Sequence, residues 1–234
     1  MKATARHTPS GNRQEDDPLK VAPQGKPRQA VLDACHEGAW EVVGGIPLIA
    51  RSLYHLGRLG MEEAVVLIGP GSSPVSLRKW QGGMRLREVR KSDGGSAPSA
   101  ILSVPGLDWR FLYLDAAHLI GPRFLETLIA ASETTLGFMC REDKAGGVIR
   151  AGLLHAEDLC AWVDEGSSAL VTRSKPLFPE DVEGFSPEIR GVLKPYFIEV
   201  RSEAQAREAT HLVISSQQKF VMDLPAEYID PFFE

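Results

Sequence analysis

The stretch that decides the fold is AVLDACHEGAWEVVGGIPLIARSLYHLGRLGMEEAVVLIG, residues 30–69. It opens with a short buried-strand candidate at residues 30–34. It closes with residues 64–69, a continuous apolar run followed by Pro and Gly, which is typical of a strand buried on both faces. Between them, residues 47–60 place apolar side chains at helical spacing, with Pro at the first turn and Gly at the end. Strand, helix and strand in this order predict a parallel sheet covered by helices.

The same alternation continues along the rest of the chain. Further strands are predicted at residues 85–89, 111–115, 135–140, 147–154 and 196–200. Further helices are predicted at residues 74–80, 97–104, 122–131, 156–164, 186–193 and 202–213, and a polar turn at 141–146. The predicted fold class is therefore α/β, with a mostly parallel, doubly wound, Rossmann-like sheet in three α/β/α layers.

Composition sets broad limits on function. The 234 residues are 43% hydrophobic and 24% charged, with a net charge of -5, as expected of one sizeable globular domain. Because acidic and basic residues are interspersed and no basic block stands out, nucleic acid is not an expected partner. The three cysteines form no CxxC pair, so neither a disulfide framework nor a zinc site is predicted. No apolar stretch approaches the ~20 residues that span a bilayer. These features predict a cytoplasmic protein.

Three regions are expected along the chain. Residues 1–28 are rich in Pro, Gly and polar side chains and have little apolar surface to bury, which predicts a disordered leader. Residues 29–215 form the predicted domain. Residues 216–234 are apolar and aromatic and are interpreted as a C-terminal connector.

Ligands of an open α/β sheet bind at the carboxyl ends of its strands. Asp33, His36 and Glu37 follow the first predicted strand, and Asp115 and His118 follow the strand at 111–115. If these two strands are neighbours, the carboxylates and imidazoles could form a metal site for Mg²⁺, Mn²⁺ or Zn²⁺, with Asp33 and Asp115 as its core. The alternative is that His36 and Glu37 are solvated loop residues and that Asp115 accepts backbone hydrogen bonds at a strand end.

A second candidate site is a glycine-rich loop. Gly94, Gly95 and Ser96 precede a predicted helix and could offer backbone N–H groups to a ligand. The alternative is a simple flexible turn.

Three segments together resemble the nucleotidyltransferases of sugar nucleotides and inositol phosphates. Residues 30–69 are similar to that family's opening, AVILAAGxGxR followed by a Lys-Pro-Leu segment, a helix and a second apolar strand. FLYLDAAHLIGPRFLETLI, residues 111–129, resembles the "GDH" strand of CTP:inositol-1-phosphate cytidylyltransferases. YFIEVRSEAQAREATHLV, residues 196–213, resembles the closing DVDTxED strand and helix. The resemblance covers about residues 29–213.

The resemblance implies enzymes that join a nucleoside triphosphate to a phosphorylated substrate, using Mg²⁺ and cationic side chains to neutralise phosphate charge. It also implies that Gly38 and the loop of Gly94, Gly95 and Ser96 bind the nucleotide. Other positions depart from the family: where it places a first glycine, an Arg, a Lys, a metal-binding Asp and a second closing acid, this chain has His36, Trp40, Ile46, Ala117 and Arg201. The first closing acid appears as Glu199. With these charged groups missing, no catalytic residue is assigned.

These departures favour a catalytically degenerate cytidylyltransferase-like domain, a pseudoenzyme that binds a ligand or acts as a scaffold. In several inositol-phosphate cytidylyltransferases a membrane-embedded CDP-alcohol phosphotransferase follows on the same chain, and residues 215–234 resemble the connector to it. The implied partners are a nucleotide or polyol phosphate and such a phosphotransferase, in cis or in trans, at the inner face of the membrane. Two alternatives stay open: an active CTP-dependent nucleotidyltransferase for a polyol or sugar phosphate with an altered Mg²⁺ site, and a structural module that forms homodimers.

Overall fold

The computed structural model describes residues 25–70, 76–92, 94–182 and 195–222. Within these ranges the strands are β1 (Gln29–Ala34), β2 (Val42–Val43), β3 (Ile46–Pro47), β4 (Glu63–Ile68), β5 (Arg85–Arg90), β6 (Arg110–Asp115), β7 (His118–Ile120), β8 (Thr135–Gly137), β9 (Ala151–His155), β10 (Lys175–Leu177) and β11 (Phe197–Glu199). The α-helices are α1 (Leu48–Arg58), α2 (Ala97–Leu102), α3 (Pro122–Ala130), α4 (Arg141–Gly146), α5 (Ala156–Glu165), α6 (Ser167–Arg173) and α7 (Glu203–Met222). Short 3₁₀ turns lie at Glu37–Trp40, Leu77–Trp80 and Pro179–Asp181.

A seven-stranded sheet forms the centre of the molecule, in the order β10-β8-β9-β6-β1-β4-β5. Neighbouring strands run parallel except β9, which is antiparallel to both β6 and β8. The predicted class, a mostly parallel α/β sheet, is confirmed. The predicted neighbour relation is also confirmed, because β1 pairs with β6 and places Asp33 opposite Asp115.

Helices cover both faces of the sheet, which explains the apolar runs of β1 and β4. Every residue of these two strands is buried. On one face Leu32 packs in a cluster with Leu53 of α1 and Phe124 of α3. On the other face Val31 packs in a cluster with Ile101 of α2 and Leu159 of α5. A central strand between two helical layers has no solvent-facing side, so alternation of polar and apolar residues is lost.

The predicted turn at 141–146 is wrong, because these residues form α4. The Asp143 carboxylate accepts a hydrogen bond from the Cys140 N–H (3.0 Å) and caps the helix, which ends at Gly147 with a positive φ of 65°. Since Cys140 begins this helix, the strand predicted at 135–140 ends earlier, at Gly137. The helix predicted at 186–193 and residues 74–75 of another predicted helix lie outside the described residues.

The described residues include the inner ends of the expected leader and connector. Residues 25–28 of the expected leader contact the domain: Pro27 is buried, and the Arg28 carbonyl accepts hydrogen bonds from the N–H groups of Glu62 (2.8 Å) and Glu63 (3.2 Å). Residues 1–24 lie outside the described residues. At the other end, residues 216–222 of the expected connector continue α7, and residues 223–234 are not described. No helix in the described ranges is both long enough and apolar enough to cross a membrane.

A small two-stranded sheet, called the closing sheet below, lies at the carboxyl ends of the central strands. β11 pairs antiparallel with β7, which places Glu199 opposite His118. The Val200 N–H donates to the Ala117 carbonyl (2.8 Å), and the Gly44 N–H donates to the Thr210 hydroxyl of α7 (3.0 Å). The last strand and helix of the described chain are thereby fixed beside the first strand.

Candidate functional site

Two buried carboxylates lie side by side at the carboxyl ends of β1 and β6. Asp33 is 7% exposed and Asp115 is 4% exposed. Removing an ionised carboxylate from water destabilises the folded state by roughly several kcal/mol unless hydrogen bonds or cations compensate the charge. The partners of each carboxylate therefore show what this end of the sheet can do.

Asp33 is held by neutral donors. Its Oδ1 accepts from the Cys35 N–H (3.1 Å), and its Oδ2 lies 3.5 Å from the hydroxyl of Tyr113. Burial, with the nearby charge of Asp33, raises the pKa of the Cys35 thiol to about 12. Burial and both aspartates also raise the pKa of Tyr113 well above its usual value. Neither group is ionised at neutral pH, so neither is an activated nucleophile or base.

Asp115 is held mainly by cations. Its Oδ2 lies 3.2 Å from Nη1 of Arg150, 3.5 Å from Nη2 of Arg201 and 3.3 Å from Nδ1 of His118. Its Oδ1 accepts from the Ala117 N–H (3.0 Å). Burial raises the pKa of Asp115, but His118, the Ala117 amide and Arg150 outweigh burial and hold it below its ordinary value of 3.8. Asp115 is therefore a stable anion.

Glu199 completes this arrangement from the closing strand. Its Oε1 lies 3.5 Å from Nη2 of Arg150 and 3.8 Å from Nε2 of the fully buried His118, and it accepts a hydrogen bond from Nε of Arg201. We call Asp115, His118, Arg150, Glu199 and Arg201 the Asp115 network. Two guanidinium groups bridge two carboxylates, so the charges of these four side chains cancel.

The network occupies the place where the resemblance implies a metal ion. Ala117 and Arg201 stand at the two implied metal-binding positions, and Arg201 turns its guanidinium onto the remaining carboxylates. His36 and Glu37 of the hypothetical relocated site are exposed on the 3₁₀ turn. Among the described residues, no group of three or more His, Cys, Asp or Glu side chains could hold a metal ion. These residues do not fit a divalent cation, because guanidinium groups already contact the carboxylates that would bind it.

The loop at Gly38, where the resemblance implies nucleotide binding, is covered by another part of the chain. A Cβ added at Gly38 would lie 1.9 Å from the Val200 carbonyl oxygen, so only glycine fits beneath the residue that follows the closing strand. Trp40, at the implied Arg position, donates its indole N–H to the Ala34 carbonyl (3.2 Å) at the end of β1. Its ring also packs against the core. Gly38 therefore has a packing role, and its assignment as a nucleotide-binding residue stays a prediction.

The loop of Gly94, Gly95 and Ser96, where the resemblance also implies nucleotide binding, is more open. Gly94 has a positive φ of 75° and no atom within 4 Å of an added Cβ. The Gly95 N–H donates to the Ser92 carbonyl (3.1 Å). The Ser96 hydroxyl caps α2, accepting from the Ser99 N–H (3.3 Å) and sharing a hydrogen bond with the Ser99 hydroxyl (2.7 Å). Nucleotide binding by these three residues also stays a prediction.

An open groove of about 450 Å³ lies between the 3₁₀ turn at Glu37–Trp40 and helix α7. Its volume falls in the range of small-molecule sites. It offers an indole ring, hydroxyl and imidazole groups and several carboxylates, and none of the network residues lines it. The lining residues are Glu37, Trp40, Glu41, Val42, Glu203, Ala206, Arg207, Thr210 and His211.

Solved structures of nucleotidyltransferases share this arrangement of strands and helices. A UDP-glucose pyrophosphorylase complexed with UDP-glucose superposes with a TM-score of 0.58 at 10% identity, over 80% of this chain and 98% of its own. A UTP-bound UGPase from Acinetobacter baumannii gives 0.58 at 11% identity, over 85% and 100%. The 4-diphosphocytidyl-2C-methyl-D-erythritol synthase from Anaerococcus prevotii gives 0.56 at 10% identity, over 81% and 96%.

The fold is that of the nucleotidyltransferases. No protein-family model matches the sequence, and no curated protein sequence matches it. At these identities the likeness establishes the fold alone. The chemistry of the site depends on the side chains that this chain places at the carboxyl ends of its strands.

Sequence reasoning missed Arg150. The residue lies just before β9, and its carbonyl accepts the Asp115 N–H (2.7 Å). Because β9 is antiparallel to β6, its beginning meets the end of β6 and delivers Arg150 to the site. Arg150 could have been found from the sequence as a cation at the start of a strand, had that strand been known to run antiparallel. Predicted strand positions alone do not give the direction of a strand.

Proposed function

We propose that this chain is a nucleotidyltransferase-like domain that no longer performs metal-dependent nucleotidyl transfer and acts as a ligand-binding or scaffolding module. We further propose that it works with a CDP-alcohol phosphotransferase, in cis or in trans, at the inner face of the membrane. The link to that enzyme rests on the sequence resemblance. The loss of catalysis rests on the Asp115 network.

The network supports loss of catalysis because it neutralises the site internally. Nucleotidyl transfer needs cations directed at the triphosphate and carboxylates free to hold a metal ion. Here Arg150 and Arg201 are paired with Asp115 and Glu199, leaving no net positive charge for phosphate. Removing one well-placed charge-stabilising donor costs about 10²–10³ in rate. The departures at several such positions predict a larger loss.

A pyrophosphate-release assay tests this proposal. Protein incubated with CTP, Mg²⁺ and inositol 1-phosphate, or with other polyol and sugar phosphates, is expected to give no pyrophosphate above the no-enzyme rate. An active cytidylyltransferase run in parallel shows that the assay works. Steady, Mg²⁺-dependent release would contradict the proposal and favour an active enzyme with an altered metal site.

Nucleotide binding tests the ligand-binding role separately. Gly94, Gly95 and Ser96 can offer hydrogen bonds to a base or ribose, while the neutral network offers the triphosphate little. We expect weak binding, with Kd roughly 0.1–1 mM, similar for cytidine and CTP and unchanged by Mg²⁺. Calorimetry with the two ligands, with and without Mg²⁺, measures this. CTP binding that is far tighter than cytidine binding and requires metal would refute it.

A further inference from the structure

One edge of the central sheet concentrates positive charge in a chain whose net charge is -5. The segment of residues 78–91 contains six Lys or Arg residues and a single acidic residue, Glu88. It comprises the 3₁₀ turn Leu77–Trp80, a short link and the edge strand β5. In the linear sequence these cations are interrupted by apolar residues and glycines. The fold brings them to one border of the molecule.

Most of these cations have no acidic partner among the described residues. Arg87 is the exception, since its Nε lies 3.2 Å from Glu63 and its Nη1 donates to the Pro105 carbonyl (2.6 Å). The other five have no carboxylate within 4.0 Å in the part of the chain that the structure describes. We call these five the basic edge: Arg78, Lys79, Arg85, Arg90 and Lys91.

The opposite edge of the sheet differs. Lys175, the first residue of β10, lies 3.8 Å from Glu133, and Arg173, at the end of α6, lies 3.0 Å from Glu165. Cations at that edge are balanced locally, whereas those of the basic edge are not. Being an edge strand therefore does not by itself explain the excess positive charge beside β5, because the edge at β10 has no such excess among its described ion pairs.

Aromatic rings lie among the cations of the basic edge. The Lys79 ammonium sits 5.0 Å from the centre of the Trp80 ring, which is half-buried. Helix α1 packs against this turn, since a Cβ on Gly57 would lie 3.5 Å from Gly82. One turn earlier in α1, Tyr54 is 49% exposed beneath the Arg58 guanidinium. Rings of this kind beside Lys and Arg suit the boundary between water and lipid headgroups.

We propose that the basic edge docks the domain on an anionic phospholipid surface. A six-residue strand extends the charges over roughly 20 Å, and a plane of lipid phosphates can meet dispersed charges without a matching groove. The acidic remainder of the protein is screened beyond about 10 Å, so local charge decides the contact. The five like charges of the basic edge also oppose pairing of this edge with a second copy of itself. The proposal adds a surface to the proposed function and is independent of the nucleotide site.

Vesicle co-sedimentation tests the docking surface with the full chain. Vesicles of phosphatidylcholine are compared with vesicles of equal parts phosphatidylcholine and phosphatidylserine. We expect binding only to the anionic vesicles, and its loss at high salt. Each basic residue near such a surface contributes about a five-fold change in affinity, so Arg85→Gln with Arg90→Gln should weaken binding about 25-fold.

Two further variants keep the test specific. Arg173→Gln with Lys175→Gln removes the same charge from the opposite edge and should leave vesicle binding unchanged. Arg85→Lys with Arg90→Lys keeps the charge and should retain binding. Equal binding to neutral vesicles, no binding to either, or equal weakening by the opposite-edge variant would overturn the proposal. Binding of short duplex DNA in preference to vesicles would also overturn it and assign the edge to nucleic acid. Pyrophosphate release in the CTP assay would leave this result unaffected.

Discussion

Asp33 and Asp115 occupy equivalent places on neighbouring strands, yet their surroundings are different. Both carboxylates lie at the carboxyl end of a buried strand, are paired in register and are almost inaccessible to water. Asp33 accepts hydrogen bonds from neutral groups. Asp115 contacts two guanidinium groups and an imidazole, and through them connects to Glu199. The comparison shows that two carboxylates at neighbouring strand ends can be compensated differently, one by neutral donors and the other by internal ion pairs.

The largest expected effect is on stability, from Asp115→Ala. After this change, Glu199 is the remaining carboxylate of the Asp115 network that balances Arg150 and Arg201. The Ala117 N–H also loses its hydrogen-bond acceptor. Removing one partner of a buried ion pair costs about 3 kcal/mol or more in the free energy of unfolding. Urea denaturation measures this cost. Arg173→Ala, at the exposed pair with Glu165, is the matched control and should cost no more than about 1 kcal/mol. Equal losses in the two variants would contradict a special role for the Asp115 network.

A smaller effect is expected from pH. Since the pKa of Asp115 is lower in the folded state than its ordinary value of 3.8, its ionisation stabilises the fold above that pH. This contribution is lost as the pH falls below about 3.8 and through the lowered pKa. The unfolding free energy of Asp115→Asn should therefore fall less steeply with acid than that of the wild type. Parallel curves for the two proteins from pH 5 down to pH 2 would show that Asp115 is not stabilised by its cations.

The smallest effect is expected at the other aspartate. Asp33→Asn keeps an oxygen to accept the Cys35 N–H and removes a charge that no cation of the described residues contacts, so stability should change by no more than about 1 kcal/mol. The pKa of Cys35 should fall below about 12, although burial, the main cause of its elevation, remains. The rate of thiol alkylation against pH measures this shift. A loss of stability as large as that of Asp115→Ala would remove the distinction between the two strand ends.

The fold followed from the sequence because its signals are local. The apolar runs of β1, β4 and β6 and the spacing of α1 depend on near neighbours in the chain, and the structure places these elements within a residue or two of their predicted bounds. The prediction for residues 141–146 was wrong because helix α4 depends on capping by Asp143 and not on an apolar face. Strands of two or three residues, such as β7 and β10, are too short for a periodic signal.

The candidate site was less predictable because its partners come from distant segments. Sequence comparison identified Ala117 and Arg201 as departures from the resembled family, but did not show that Arg201 turns back onto Asp115. Arg150 reaches the same carboxylate only through the antiparallel direction of β9. The basic edge was missed for a similar reason: residues 78–91 show no continuous basic run, and the lack of acidic partners emerges only from the folded arrangement.

The closing sheet also sets an order of events during synthesis. The hydrogen bond from Gly44 to Thr210 joins residues 166 positions apart, and Gly38 is covered only when Val200 arrives. At usual translation rates, Glu199 and Arg201 are added roughly 4–17 s after Asp115. Before Arg201 is added, Arg150 is the one guanidinium of the Asp115 network that a nascent chain can provide, and Val200 does not yet cover Gly38. The strands of the central sheet, the last of which ends at Leu177, are therefore synthesised before the residues that complete the neutral site.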